Sequence, residues 1–170
     1  AKLSQRVPAT VEKVGLFVDP NDALVSGVLE YVQLDVLQLH GVESPARIEY
    51  LKNLTGRPVI KVLKVAQAED LDDLEAYKTV AERFLFDARA PKEMENALPG
   101  GNAISFDWRL LRGQKWTIPW ILAGGLTANN VAEATRISGA EAVDVSSGVE
   151  RIRGLKDRRL VTAFIDAAKN

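Results

Sequence analysis

The sequence predicts an α/β fold, with parallel strands inside and helices outside, on three observations. Six short apolar, β-branched runs recur along the 170 residues. The segments between them carry helical spacing. Polar residues and glycines gather where the runs end. Alternation of this kind implies parallel strands, because each return to the sheet passes through a helix.

The runs are VGLFV (14–18), VLQL (36–39), VIKVL (59–63), FLF (84–86), WILA (120–123) and AVDVS (142–146), and their starts lie 22, 23, 25, 36 and 22 residues apart. Each is short enough for a buried strand. Between the first two, Leu24, Val25, Val28 and Leu29 fall on one helical face. Ile48 with Leu51 does the same further on, as do Leu71, Leu74 and Tyr77, then Val131 and Ala134. The C-terminal segment repeats it with Leu160, Val161, Phe164, Ile165 and Ala168. Asn21/Asp22, Ser44-Pro45 and Thr127 stand where N-caps and first turns belong, since Asn, Ser and Thr side chains accept from the free N–H groups of a first turn and proline's fixed φ suits its start.

Two architectures compete for this rhythm, an open doubly wound sheet and a TIM (β/α)8 barrel. The G-x-G-x-x-G turn of dinucleotide-binding sheets is absent after the first run, and short uniform strands suit a barrel. Eight βα units of about 30 residues each make such a barrel. Six are counted here, so the expectation is one barrel domain over 1–170, N-terminally incomplete, showing strands three to eight. Residues 1–10 read as the tail of a helix feeding the first strand. The long interval holds DARAPKEMENALPGGNAIS (87–105), and a loop of that length in a compact fold reads as a functional lid or, second to that, a disordered segment. Gly100-Gly101 would be its hinge or a point of close approach.

Composition narrows the function. A net charge of -1 and a pI near 6.0 give no basic excess, which argues against nucleic acid and anionic membranes as partners. No apolar run reaches spanning length, AKLSQRVPAT has no signal-peptide core, and there is no cysteine for disulfides or thiolate metal sites. A cytoplasmic location is the expectation.

Chemistry in barrels sits at the C-terminal strand ends. Here those ends carry His40-Gly41, Asp87, Gly124-Gly125, and Asp144 followed by Ser146, Ser147 and Gly148. Gly124-Gly125 offers bare backbone N–H groups, and the Ser146–Gly148 turn adds N–H and hydroxyl donors. On neighbouring strands they read as a phosphate cradle needing no Lys or Arg; taken singly, each reads as a tight turn or a cap. Asp87 follows three apolar residues, and burial favours the protonated carboxyl that a general acid needs; a salt bridge to Arg89 or a cap is the plainer alternative. Asp144 alternates with Val143 and Val145, so it should face the barrel interior and bind a substrate hydroxyl or amine, or bond a neighbouring backbone group. His40 is the only histidine; alone at a strand end it reads as structural sooner than catalytic, and it supplies too few ligands for a metal site. Trp108, Trp116 and Trp120 read as packing between helix and barrel, and AEDLDDLEAY as a solvated helix face.

VGLFV, LQLHGVES, VIKVLKV, FLFDARAP, LPGGNAISFDW, ILAGGLTANNVAEA and VDVSSGVERIRGLKD together resemble the phosphoribosylanthranilate isomerases of tryptophan biosynthesis, from about Val14 to the C-terminus. The resemblance implies a (β/α)8 barrel and an acid/base Amadori rearrangement of N-(5-phosphoribosyl)anthranilate to 1-(2-carboxyphenylamino)-1-deoxyribulose 5-phosphate, with no cofactor and no metal. It implies that Asp87 is the general acid and that His40 and Asp144 contact substrate. It further implies that Gly100 and Gly101 belong to a closing loop, and that Gly124, Gly125, Ser146, Ser147 and Gly148 hold phosphate. The partner expected is a small phosphoribosyl substrate, in a monomer or a homodimer. Ala103-Ile104 departs from the family's glycine–lysine in the loop. The family's KICG-type cysteine base has no counterpart, nor has the arginine after its second strand. These absences lead to the expectation that the chain is part of a longer one and that alone it does not turn over. The alternative is a non-catalytic, phosphosugar-binding remnant.

Overall fold

The computed structural model describes Lys2, residues 4–91, Gly101 and residues 104–169. Gly100 and Ala103, and with them most of the expected lid, lie outside these residues.

A five-stranded parallel sheet runs in the order β1 (Val14–Phe17), β2 (Val36–Leu39), β3 (Val59–Val65), β4 (Arg83–Ala88) and β5 (Trp120–Leu122). Sequence order and spatial order agree, as expected where consecutive elements are neighbours in space. The helices are α1 (Asp22–Tyr31), α2 (Pro45–Thr55), α3 (Leu74–Tyr77), α4 (Val131–Ser138) and α5 (Arg158–Lys169). The chain divides into two compact units, residues 1–62 with 74–83, and residues 63–73 with 84–170.

In the first unit, Phe17, Val25, Leu37, Leu39, Ile48, Leu51 and Val59 form one buried cluster. Each is placed by the periods read in the sequence, 2 along the strands and 3.6 along the helices. Asn21 caps α1 by accepting from Leu24 N–H at 2.8 Å. Ser44 caps α2 through Arg47 N–H at 3.2 Å, with Pro45 in the first turn and Gly56 closing the helix at φ 62°. Leu24, expected inward, lies exposed. On β1 only Phe17 is buried, and Leu16 is 56% exposed. The expected helix tail at residues 1–10 is a single 3-10 turn, Ser4–Arg6.

The second unit packs Phe84, Phe86, Leu122, Leu126, Val131 and Ala134 to full burial or nearly so. Phe86 stacks against Trp116 (4.8 Å between centroids) and Trp120 (5.6 Å), so these two tryptophans pack on a strand aromatic.

Three expectations need correction. The sixth run, 142–146, forms one isolated bridge, Leu122 to Val143, instead of a strand. It bonds β5 through Leu122 N to Ala142 O and Asp144 N to Leu122 O, and a segment held through one bridge to one neighbour does not extend. Beyond it the chain turns into a small antiparallel pair, β6 (Glu150–Ile152) and β7 (Leu155–Lys156). Helix α4 starts at Val131, not at Thr127. The acidic run is a 3-10 turn and the short α3, and the half-buried Asp70 turns its side chain inward, 6% exposed, accepting from Ala66 and Gln67 N–H while pairing with Arg89.

Candidate active site

Strand β4 delivers Asp87 to its C-terminal end, 7% exposed, with Oδ1 accepting from Ala88 N–H at 2.9 Å. Arg89, the partner that local sequence suggested, places its guanidinium 2.7 Å from Asp70. Next to Asp87 lies the end of β5. Gly124 and Gly125 have φ of 85° and 62°, the region where a side chain is strained. A Cβ on Gly124 would sit 2.6 Å from Ala88 N and 3.2 Å from Asp87 Oδ1. One on Gly125 would sit 2.7 Å from the carbonyl of Ile104. The close approach that the glycine pair serves is therefore first of all by the protein's own backbone, with β4 on one residue and the 104–105 segment on the other.

The turn after the glycines is stitched by Asn130, whose amide donates to Gly125 O (3.0 Å) and whose carbonyl accepts from Thr127 N–H (2.8 Å). Thr127 works within this turn, accepting from Asn129 N–H. Ser147–Val149 forms a 3-10 turn, and Gly148 packs so closely that a Cβ would overlap the carbonyl of Leu126. Gly101 has φ 75°, and a Cβ there would lie 3.7 Å from Ser146 Oγ. Asp144 is exposed, its N–H on Leu122 O at 2.8 Å.

A cation lies at this turn that the sequence reading did not foresee. Lys156 Nζ donates to Ser146 O (2.8 Å), to Ser146 Oγ (3.2 Å) and to Glu150 (2.8 Å). This Lys156 bond, joined by Gly154 N–H, holds the Glu150 carboxyl below its usual range. The β6–β7 pairing brings Lys156 back over ten residues, so spacing alone could not reveal it.

In the first unit His40 ends β2, 4% exposed, with its N–H on Phe17 O. The turn that follows is held by charged groups. Glu43 accepts from Gly41 N–H (3.1 Å) and Asp19 N–H (2.9 Å), and Asp19 accepts from Val42 N–H at 2.7 Å. Lys61 Nζ lies 2.7 Å from both Glu43 Oε2 and Gly41 O. The two side chains are 1% and 3% exposed. Burial pushes the Glu43 carboxyl up, but the Lys61 hydrogen bond and charge and the backbone N–H donors outweigh it, and the group ends below its usual range. A signal existed for this pair: a lysine inside the apolar run VIKVL is costly unless it is matched. Among the described residues no cluster of three or more His, Asp or Glu side chains could hold a metal, and no helix is long and apolar enough to cross a membrane.

The family model described as N-(5'phosphoribosyl)anthranilate (PRA) isomerase matches residues 1–167. The N-(5'-phosphoribosyl)anthranilate isomerase of Paramagnetospirillum magneticum is 59% identical over 169 residues, covering 99% of this chain and 78% of that protein. The chain belongs to the phosphoribosylanthranilate isomerase family. The Paracoccus denitrificans isomerase is 52% identical, with 99% of this chain and 77% of that one aligned. Among solved structures, the Thermotoga maritima isomerase superposes with a TM-score of 0.82 at 34% identity, over 99% of this chain and 78% of that one. Another isomerase, in complex with reduced 1-(o-carboxyphenylamino)-1-deoxyribulose 5-phosphate, superposes at 0.76 with 32% identity, over 99% and 76%. The fold is thus TIM-barrel-like, and the family is one of isomerases in tryptophan biosynthesis.

Proposed function

We propose that Asp87 and the phosphate cradle are parts of one phosphosugar site. In this reading Asp87 is the general acid of the rearrangement of N-(5-phosphoribosyl)anthranilate to 1-(2-carboxyphenylamino)-1-deoxyribulose 5-phosphate. The observation that carries the proposal is adjacency. The buried Asp87 side chain lies beside Gly124, with Oδ1 3.2 Å from where a Gly124 Cβ would be.

The chemistry follows from what each group can do. Asp87 donates its proton to the ribose ring oxygen, the C1–O bond breaks, and the anthranilate nitrogen lone pair forms the C=N⁺ of the open chain. A base then removes the C2 proton, the electrons move into an enol-amine, and tautomerisation leaves the ketose. A positioned acid of this kind is worth about 10²- to 10⁴-fold in rate. Backbone N–H groups of Gly124, Gly125, Ser147 and Gly148 bind the phosphate and fix the sugar relative to Asp87. Asp144 is assigned to the substrate amine, Gly101 to the loop over the substrate, and His40 to a substrate contact. The architecture proposed is a (β/α)8-type barrel, and the assembly a monomer or homodimer. A structure of monomers generated from the dimeric Thermotoga maritima isomerase superposes at 0.76 with 31% identity.

These 170 residues hold no cysteine; in the proposed reading the base is a cysteine carried on another segment, and the chain by itself is proposed to bind without turning over. Fusing it to the portion of the Paramagnetospirillum relative outside the alignment supplies a candidate segment. The fusion should show turnover, read as a change in anthranilate fluorescence. Asp87→Asn should lower that turnover at least a hundredfold while affinity for the reduced product analogue stays within about twofold. Near-normal turnover of Asp87→Asn removes Asp87 from the mechanism. Turnover by the 170 residues alone, abolished by Asp87→Asn, would place the base on another of its own residues.

A further inference from the structure

We propose that the buried Lys61–Glu43 pair is a positioning device that fixes the His40–Gly41 turn for substrate. This rests on the reading of His40 as a substrate contact and adds two residues to it. Three consecutive backbone polar groups after His40 are each held by a charged side chain. Gly41 N–H goes to Glu43, Gly41 C=O to Lys61 Nζ at 2.7 Å, and Val42 N–H to Asp19 at 2.7 Å. Glu43 also takes Asp19 N–H at 2.9 Å, which ties the turn after β2 to the turn after β1. Asp19 itself sits at φ 44°, a region an Asp tolerates and most residues avoid. The Asp19 carboxylate lies where a Gly41 Cβ would be, so a side chain at position 41 would have to displace it. Tyr77 closes the arrangement from α3, its hydroxyl on Glu43 O at 3.3 Å and its ring 5.6 Å from Lys61 Nζ.

An ion pair this deeply buried is weak evidence of stability. Replacing such a pair by apolar groups of similar volume is often neutral or stabilising, whereas removing one partner is costly. What apolar groups cannot reproduce is the set of bonds to the turn, and every backbone partner of Lys61 and Glu43 named here lies in the two turns or in Glu43 itself. The charges therefore act on the placement of the peptide next to His40. They touch no substrate; they act through the turn.

The separation of stability from placement supplies the test. In the 170-residue chain, Lys61→Met/Glu43→Leu should melt within a few degrees of wild type, while its affinity for the reduced product analogue falls about tenfold and the Gly41 and Val42 amides exchange faster. Wild-type affinity in a folded double variant overturns the proposal. Should that variant not fold, Glu43→Gln decides. It keeps the carboxamide oxygen as an acceptor but loses the charge that Lys61 needs, and its affinity should still drop severalfold; unchanged affinity overturns the proposal. If the wild-type chain binds no analogue, the phosphosugar reading fails by itself. Amide exchange at Gly41 and Val42 then judges the clamp, with unchanged protection in Glu43→Gln counting against it.

Discussion

Gly124→Ala separates a glycine kept for the protein's own packing from one kept only for a ligand. With φ at 85°, an alanine there costs about 1–2 kcal/mol in backbone strain. Its Cβ would stand 2.6 Å from Ala88 N and 2.9 Å from Ala88 Cβ, atoms of a buried strand that cannot swing aside. Overpacking of that kind costs about 1–3 kcal/mol. The unfolded chain loses freedom with alanine, which returns about 0.4–1 kcal/mol. The net is a loss of about 3 kcal/mol, or roughly 10 °C in Tm for a chain of this length. Gly113→Ala is the internal control, with φ 76° and nothing within 4 Å of its Cβ. It carries the strain without the collision and should lose about 1 kcal/mol. The assay is thermal unfolding followed by circular dichroism for both variants. A Gly124→Ala melt within about 2 °C of wild type, or one equal to that of Gly113→Ala, would refute the collision argument.

Glu43, whose carboxyl is held below its ordinary value of 4.5, contributes stability that is complete above about pH 4.5 and is lost as pH falls through the lowered folded value. The Tm gap between wild type and Glu43→Gln should therefore narrow as the pH drops below 4.5, and a gap constant from pH 7 to 3 would contradict the sign. Phe86→Ala should lose about 3–5 kcal/mol and, by removing the ring packed on Trp116 and Trp120, weaken the near-UV aromatic signal. Lys156→Met, by freeing Ser146 O and Oγ, should weaken inorganic phosphate binding severalfold, measured by amide shifts at Ser147 and Gly148; identical titrations for the two proteins would show that the Ser146 contacts are irrelevant to the cradle.

The core was legible wherever one segment decides its own burial. VLQL became β2 residue for residue, and Ile48 and Leu51 went inside on α2. The last run was not legible, because AVDVS has strand composition but, among the described residues, bridges to Leu122 alone, and a strand is made by its partners. Thr127 looked like a cap, yet the turn is stitched by Asn130, three residues on, a choice that local propensity leaves open. The rim residues Asp87 and Gly124 were named from strand ends alone, and they do meet. Lys156 and the Lys61–Glu43 pair escaped because their partners are ten and eighteen residues away. A lysine inside the apolar run VIKVL is the one sequence signal that could have found Lys61.

The central claim, that Asp87 and the glycine–serine turns form one phosphosugar site, is tested most directly by titrating the isotope-labelled protein with the reduced product analogue and following its amide signals. The account predicts saturable shifts at Gly124, Gly125, Ser147 and Gly148 together with Asp87 and Ala88, with inorganic phosphate moving the first four. Saturation that leaves Gly125, Ser147 and Gly148 unmoved, or no binding at all, would contradict it.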